Sequence, residues 1–97
     1  MRASIIIRAY NEERHIEKLF KGIQAQDAPF DHETILVDSG STDRTRDIAG
    51  RYPVRIVQIK PENFSFGYSL NTGIQHARGA YCVFIVITHL LSRSIKF

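Results

Sequence analysis

Ile35-Leu36-Val37-Asp38-Ser39-Gly40-Ser41-Thr42-Asp43-Arg44-Thr45 decides how this chain folds. An apolar run stops at a carboxylate, small turn residues follow, and Ser41-Thr42-Asp43 reads as a helix start. The pattern predicts a buried strand, a tight turn and a helix N-terminus. In an open parallel sheet, ligands sit in the crevice beyond the carboxyl ends of the strands. Asp38 stands at such an end, where it can accept hydrogen bonds from a ligand and where a helix N-terminus favours anionic groups. Asp and Ser are also ordinary turn residues, so a plain turn cap is the competing reading of Asp38.

The segments on either side repeat the theme. Upstream, Ser4-Ile5-Ile6-Ile7 is a β-branched run expected to be buried on both faces. Asn11 reads as the N-cap of a first helix, with Glu12 and Glu13 in its first turn. Ile16, Leu19, Phe20 and Ile23 form its apolar stripe, Glu17 and Lys21 pair on its wet side, and Ala28-Pro29-Phe30-Asp31 ends it. Downstream, a second helix is expected from Thr42 to Tyr52, with Thr45, Ile48, Ala49 and Tyr52 on one face. Val54 to Ile59 partly alternates, which suggests an edge strand.

A third helix is expected from Ser65 to Arg78, turning Leu70, Gly73, Ile74 and Ala77 to the core. Gly73 costs helix propensity and so implies close packing on the sheet, while Gly79 fits the position just past the helix end. Tyr81 to Ile87 is a fourth, strongly apolar strand, with Cys82 expected in the core. The alternation βαβαβαβ implies an α/β fold: a three-layer, Rossmann-like parallel sheet with right-handed crossovers. Placing the amphipathic third strand at an edge gives the strand order 3-2-1-4 and a switch point between the first and fourth strands. Residues 1–87 form one unit, and 88–97 read as a divergent tail. In that tail Leu90, Leu91, Ile95 and Phe97 suit either a short helix or an edge strand.

Composition narrows the function classes. The chain has 97 residues, 43% of them hydrophobic, which fits one small domain. A net charge of +3, with scattered basic residues, argues against nucleic-acid binding, and a solvated face is the simpler account of Arg44, Arg46, Arg51 and Arg55. Met1-Arg2 leads straight into an apolar strand without a secretory cleavage pattern, and the apolar run Ala80 to Ile87 is too short to cross a bilayer. A lone Cys82 offers neither a disulfide nor a metal cluster. These features point to a cytoplasmic chain and allow a loose association with a membrane surface.

Three stretches together resemble the N-terminal half of the inverting, family 2 nucleotide-sugar glycosyltransferases of the GT-A fold. They are Ser4-Ile5-Ile6-Ile7-Arg8-Ala9-Tyr10-Asn11-Glu12-Glu13, Leu36 to Thr45 as quoted above, and Leu70-Asn71-Thr72-Gly73-Ile74-Gln75-His76-Ala77-Arg78-Gly79-Ala80-Tyr81. The resemblance implies an incomplete GT-A fold that binds a nucleotide-diphospho-sugar donor for glycosyl transfer. It implies that Ala9, Tyr10 and Glu12 lie along the nucleoside, that Asp38 helps hold base or ribose, and that Asn71 stands near the donor pocket.

The departures from the family's pattern are specific. Many members carry a second Asp after the one matching Asp38, where this chain has Ser39, and an Arg before the matching Asn, where this chain has Leu70. After the fourth strand the family usually places an Asp-x-Asp type motif for a divalent cation, Mg or Mn. Here Val86-Ile87-Thr88-His89-Leu90 stands instead, and no Asp or Glu follows Glu62. No cofactor is evident in this chain, and a lone His89 suits a hard cation poorly. The expectation is a truncated glycosyltransferase, inactive alone, with no catalytic residue of its own. A non-catalytic nucleotide-binding or assembly module is the alternative. A receiver- or flavodoxin-like domain is disfavoured, because Ile59 is followed by Lys60-Pro61 where a receiver needs a carboxylate. An apolar fourth strand at an edge also predicts a homo-oligomer joined through that strand or the tail.

Overall fold

The computed structural model describes residues 3–25, 31–60, 62 and 66–86. Seven elements follow in the order β1 (Ala3–Ala9), α1 (Glu13–Ala25), β2 (His32–Asp38), α2 (Thr45–Ala49), β3 (Arg55–Gln58), α3 (Phe66–His76) and β4 (Tyr81–Val86). The strands form one sheet in the order β3-β2-β1-β4, and every pairing is parallel. The expected topology is therefore the observed one. The tail expected over 88–97, and with it His89, lies outside the described residues, as does the Ala28-Pro29-Phe30 helix breaker.

Strand alternation splits the core into two layers. On one face Ile7, Ala9, Leu36 and Ile85 meet Ile16, Phe20 and Ile23 of α1 and Ile48 and Ala49 of α2. On the other face Ile6, Ile35 and Val37 pack with Val57, Ile59 and Ala77. Ile7, Ile16, Ile35, Leu36 and Val37 are fully buried, each contributing about 1.5–3 kcal/mol of transfer free energy. Phe20 and Tyr52 close the α1–α2 layer with ring centroids 5.2 Å apart. The Glu17–Lys21 pair forms as expected, at 3.1 Å on the wet side of α1.

Four expectations about the helices and β4 need correction. The second helix is only Thr45–Ala49, because the polar groups of residues 41–43 are engaged by partners elsewhere in the fold (below) instead of starting a helix. A helix this short, with no side-chain cap, is no anion site. Ile74 is 47% exposed, whereas Ser69 and Gly73 are buried. α3 therefore seats small residues on the sheet, and a Cβ at Gly73 would stand 2.4 Å from Ile6 Cγ2. Gly79 does not cap α3, which ends at His76. Its reason is a close approach to β1, where a Cβ would meet the Ala3 carbonyl carbon at 2.5 Å and the Ser4 nitrogen at 2.7 Å. Cys82 is exposed and not in the core, since β4 is an edge strand of the described sheet and the core sequesters Ile85.

The amino end of the sheet is tied by a carboxylate hub. Glu33 accepts from Ser4 Oγ at 2.7 Å, from the Arg78 N–H at 2.6 Å and from Arg55 at 2.7 Å. Ser4 Oγ in turn accepts from the Gly79 N–H, and Arg55 also donates to the His76 carbonyl. Burial pushes the Glu33 carboxyl up, but the Ser4, Arg78 and Arg55 donors outweigh it and hold the group below its usual range. The hub fastens the α3–β4 connection to β1, β2 and β3, well away from the strands' carboxyl ends.

Candidate functional site

β1 and β2 end in register: Ala9 pairs with Asp38, and the Ser39 N–H extends the ladder by donating to the Ala9 carbonyl at 3.0 Å. Two loops therefore leave the sheet side by side, residues 10–12 after β1 and 39–44 after β2. Gly40 turns the second loop at φ 82°, a conformation that glycine adopts without a Cβ penalty.

Asp38 is fully buried. Its carboxylate accepts from the Ser41 N–H at 3.0 Å and from Ser41 Oγ at 2.5 Å, with Arg46 Nε 3.7 Å away. Arg46 also donates to Gln58 Oε1 and to the Ser41 carbonyl, which holds the turn against β3. Asp38 thus caps its own turn, as the simpler of the two sequence readings has it.

Asn11 is not the N-cap of α1. The Glu12 carbonyl accepts from the His15 and Ile16 N–H groups, so Glu12 occupies that position. Asn11 instead sits at φ 51° and crosses to the other loop. Its N–H donates to Ser41 Oγ at 2.9 Å, and its Oδ1 accepts from the Thr42 N–H at 2.8 Å and the Asp43 N–H at 3.3 Å. The Glu12 N–H donates to Thr45 Oγ1 at 2.8 Å, and the Glu13 N–H donates to Asp43 Oδ2 at 3.2 Å. Asp43 also accepts from the Thr45 N–H and hydroxyl. Burial pushes the Asp43 carboxyl up, but the Thr45 and Glu13 donors hold it below the usual carboxylate range, so it is ionised at neutral pH.

The structure places Ala9, Tyr10, Glu12 and Asp38 along this one edge. Ala9 is buried, Tyr10 is 41% exposed on the rim, and Glu12 is half-buried. Asn71 is exposed on α3, two residues from Ser69 and from Gly73 and so on the side turned away from the sheet. No hydrogen bond or ion pair among the described residues joins it to the Ala9–Asp38 edge. Asn11, Ser41, Asp43 and Thr45, which interlock the loops, were not singled out from sequence as site residues. Their one signal is the density of short polar side chains after both strands. Of the expected solvated arginines, Arg46 and Arg55 are engaged by Asp38 and Glu33, and Arg51 lies 3.8 Å from Glu17.

Elsewhere, an open groove of about 400 Å³ lies between Phe20, Ile23, His32, Tyr52, Pro53 and Val54. It sits at the amino end of β2, opposite the interlocked loops. Among the described residues no three His, Cys, Asp or Glu side chains converge to hold a metal ion. No helix among the described residues is long and apolar enough to cross a membrane.

Comparisons with known proteins agree with this fold. Residues 4–85 match the model of the family "Glycosyl transferase family 2". The chain is 29% identical over 90 residues to the poly(ribitol-phosphate) beta-N-acetylglucosaminyltransferase TarS of Staphylococcus aureus, covering 88% of this chain but 16% of TarS. The crystal structure of S. aureus TarS 1-349 in complex with UDP-GlcNAc superposes with a TM-score of 0.81 at 27% identity, over 89% of this chain and 26% of that one. Glucosyl-3-phosphoglycerate synthase from Mycobacterium tuberculosis, solved with Mn2+, UDP and glucosyl-3-phosphoglycerate, superposes with a TM-score of 0.73 at 30% identity, over 88% and 33% of the two chains. The chain thus spans only a fraction of the length of the relatives it matches.

Proposed function

The chain belongs to glycosyl transferase family 2, and from this premise we propose that the edge formed by Ala9 and Asp38 holds the nucleoside diphosphate of a nucleotide-sugar donor. In this reading Tyr10 stacks on the base, Ala9 and Glu12 line the nucleoside and Asp38 shapes the floor, while a place for Asn71 at the border of the donor pocket rests on the family resemblance alone. The observation that carries it is the register pairing of Ala9 with Asp38 beside the switch point between β1 and β4, where open parallel sheets bind ligands. The UDP-sugar and UDP complexes of the structural relatives support it.

Titration calorimetry with uridine, thymidine and guanosine diphosphates at millimolar levels is the test. Binding is expected for at least one. Tyr10→Ala, a rim substitution, should weaken it roughly 5- to 150-fold, as expected for a base–aromatic stack of about 1–3 kcal/mol. No heat with any of the three removes the reading.

Donor binding, not transfer, is the activity proposed for these 97 residues by themselves. General-base assistance and a metal-stabilised leaving group serve such chemistry, and no Asp or Glu follows Glu62 to supply them. Sugar transfer from any nucleotide-sugar above a no-protein control contradicts this, and separates an enzyme from a non-catalytic nucleotide-binding module. Self-association through β4 is proposed on the exposure of Tyr81 (64%) and Phe84 (37%) along that edge; a monomer mass by light scattering at micromolar concentration refutes it.

A further inference from the structure

Asp38 stands at the centre of the proposed site, yet no part of it is exposed and both of its oxygens are engaged. A ligand seated on the loops would meet the groups that Asp38 orders before it met Asp38. We propose that Asp38 is a positioning residue for nucleotide binding, acting through Ser41 and Asn11 and not by touching the nucleotide. This rests on the donor-binding reading above.

The hydrogen-bond polarity carries the argument. A carboxylate only accepts, so the Ser41 hydroxyl must donate its proton to Asp38 Oδ1. That leaves the lone pairs of Ser41 Oγ for the Asn11 N–H, 2.9 Å away. Asn11 then returns the link, its Oδ1 accepting from the Thr42 and Asp43 N–H groups. The circuit runs from β2 through its own turn to the segment after β1 and back. It fixes Asn11 at φ 51°, a left-handed conformation that Asn tolerates better than most non-glycine residues. That bend sets where Tyr10 and Glu12 leave the sheet. An Asn at position 38 would break the polarity. If its oxygen takes the Ser41 hydroxyl, its NH2 faces the Ser41 N–H; if its oxygen takes that N–H, the hydroxyl proton loses its acceptor.

The experiment uses the 97-residue chain with uridine and guanosine diphosphates, and reads binding constants alongside amide hydrogen exchange in the free protein. Asp38→Asn, Ser41→Ala and the double variant form one cycle. Asn11→Gly accompanies it, because glycine keeps the bend without strain and deletes only the side-chain bridge. If Asp38 acts through Ser41, each single substitution weakens binding about tenfold, the size of one hydrogen bond, and the double variant is no weaker than Asp38→Asn. The Asn11 N–H, which Asp38 does not touch, also exchanges faster in Asp38→Asn, while Ile6, Ile7 and Leu36 stay protected. Asn11→Gly, at an exposed position, weakens binding similarly with little change in the unfolding midpoint, which a merely structural role would not produce.

The proposal is overturned if the losses multiply in the double variant, or if Ser41→Ala and Asn11→Gly bind like the unaltered chain. It also falls if Asn11 exchange is unchanged in Asp38→Asn. Should a position 38 or 41 variant fail to fold, Asn11→Gly alone decides. Absence of binding by the unaltered chain removes the donor-binding reading and the positioning role with it. In that case exchange at Asn11 still shows whether the circuit exists.

Discussion

Gly73 in α3 tests how closely the third helix sits on the sheet. An Ala Cβ there would stand 2.4 Å from Ile6 Cγ2, 3.1 Å from Cδ1 and 3.3 Å from Cγ1. Carbon atoms pack at about 3.5–4.0 Å, so the pair must separate by roughly 1 Å. Ile6 cannot retreat easily: it is 2% exposed, stiff at χ1, and held in a strand paired on both sides. Overpacking of this kind costs about 1–3 kcal/mol, offset by about 1 kcal/mol of helix propensity gained over Gly. The net expectation for Gly73→Ala is a loss of about 0–2 kcal/mol. Gly22 in α1 has nothing within 4 Å of its virtual Cβ, so Gly22→Ala should gain up to about 1 kcal/mol. The same chemical change at two helical sites should therefore differ by about 1–3 kcal/mol, or roughly 4–8 °C in Tm per kcal/mol for a domain of this size. Urea and thermal unfolding read the difference. On an Ile6→Ala background the Gly73→Ala penalty should largely vanish. Equal stabilisation by both Gly→Ala changes would refute the close seating of α3.

Two further outcomes follow from the fold. Glu33→Gln should cost about 1–3 kcal/mol at pH 7, since an amide cannot accept from Ser4, Arg78 and Arg55 as the carboxylate does. The folded Glu33 carboxyl lies below its ordinary value of 4.5, so its contribution is fully present above that pH and is lost as pH falls through the folded value. Unfolding midpoints of the two proteins should thus converge in acid, and a gap that persists or widens there contradicts the hub. Cys82 should react stoichiometrically with a thiol reagent in native buffer, and a requirement for denaturant would return it to the core.

The strands and their order were legible because β-branched runs such as Ser4-Ile5-Ile6-Ile7 have few alternatives and because a partly alternating strand belongs at an edge. What escaped was set by partners distant in sequence. Ser41-Thr42-Asp43 looks like a helix start until Asp38 and Asn11 take its N–H groups, which leaves α2 to begin at Thr45. Asn11 looks like a cap for the same chemical reason, and it does serve one, but across the crevice. Hydropathy placed Ile74 inside, whereas close seating selects Ser69 and Gly73. At the site, the meeting of Ala9 and Asp38 follows from two parallel strands ending together. The circuit through Ser41 does not, because it depends on a register between two loops that periodicity does not encode.

Amide chemical-shift mapping by NMR, with the unaltered chain and a saturating nucleoside diphosphate, tests the donor-binding account most directly. The account predicts perturbations concentrated at Ala9 to Glu12 and Asp38 to Asp43, with little change around the groove of Phe20, His32 and Tyr52. Perturbations centred on that groove, or none at either end of the sheet, would contradict it.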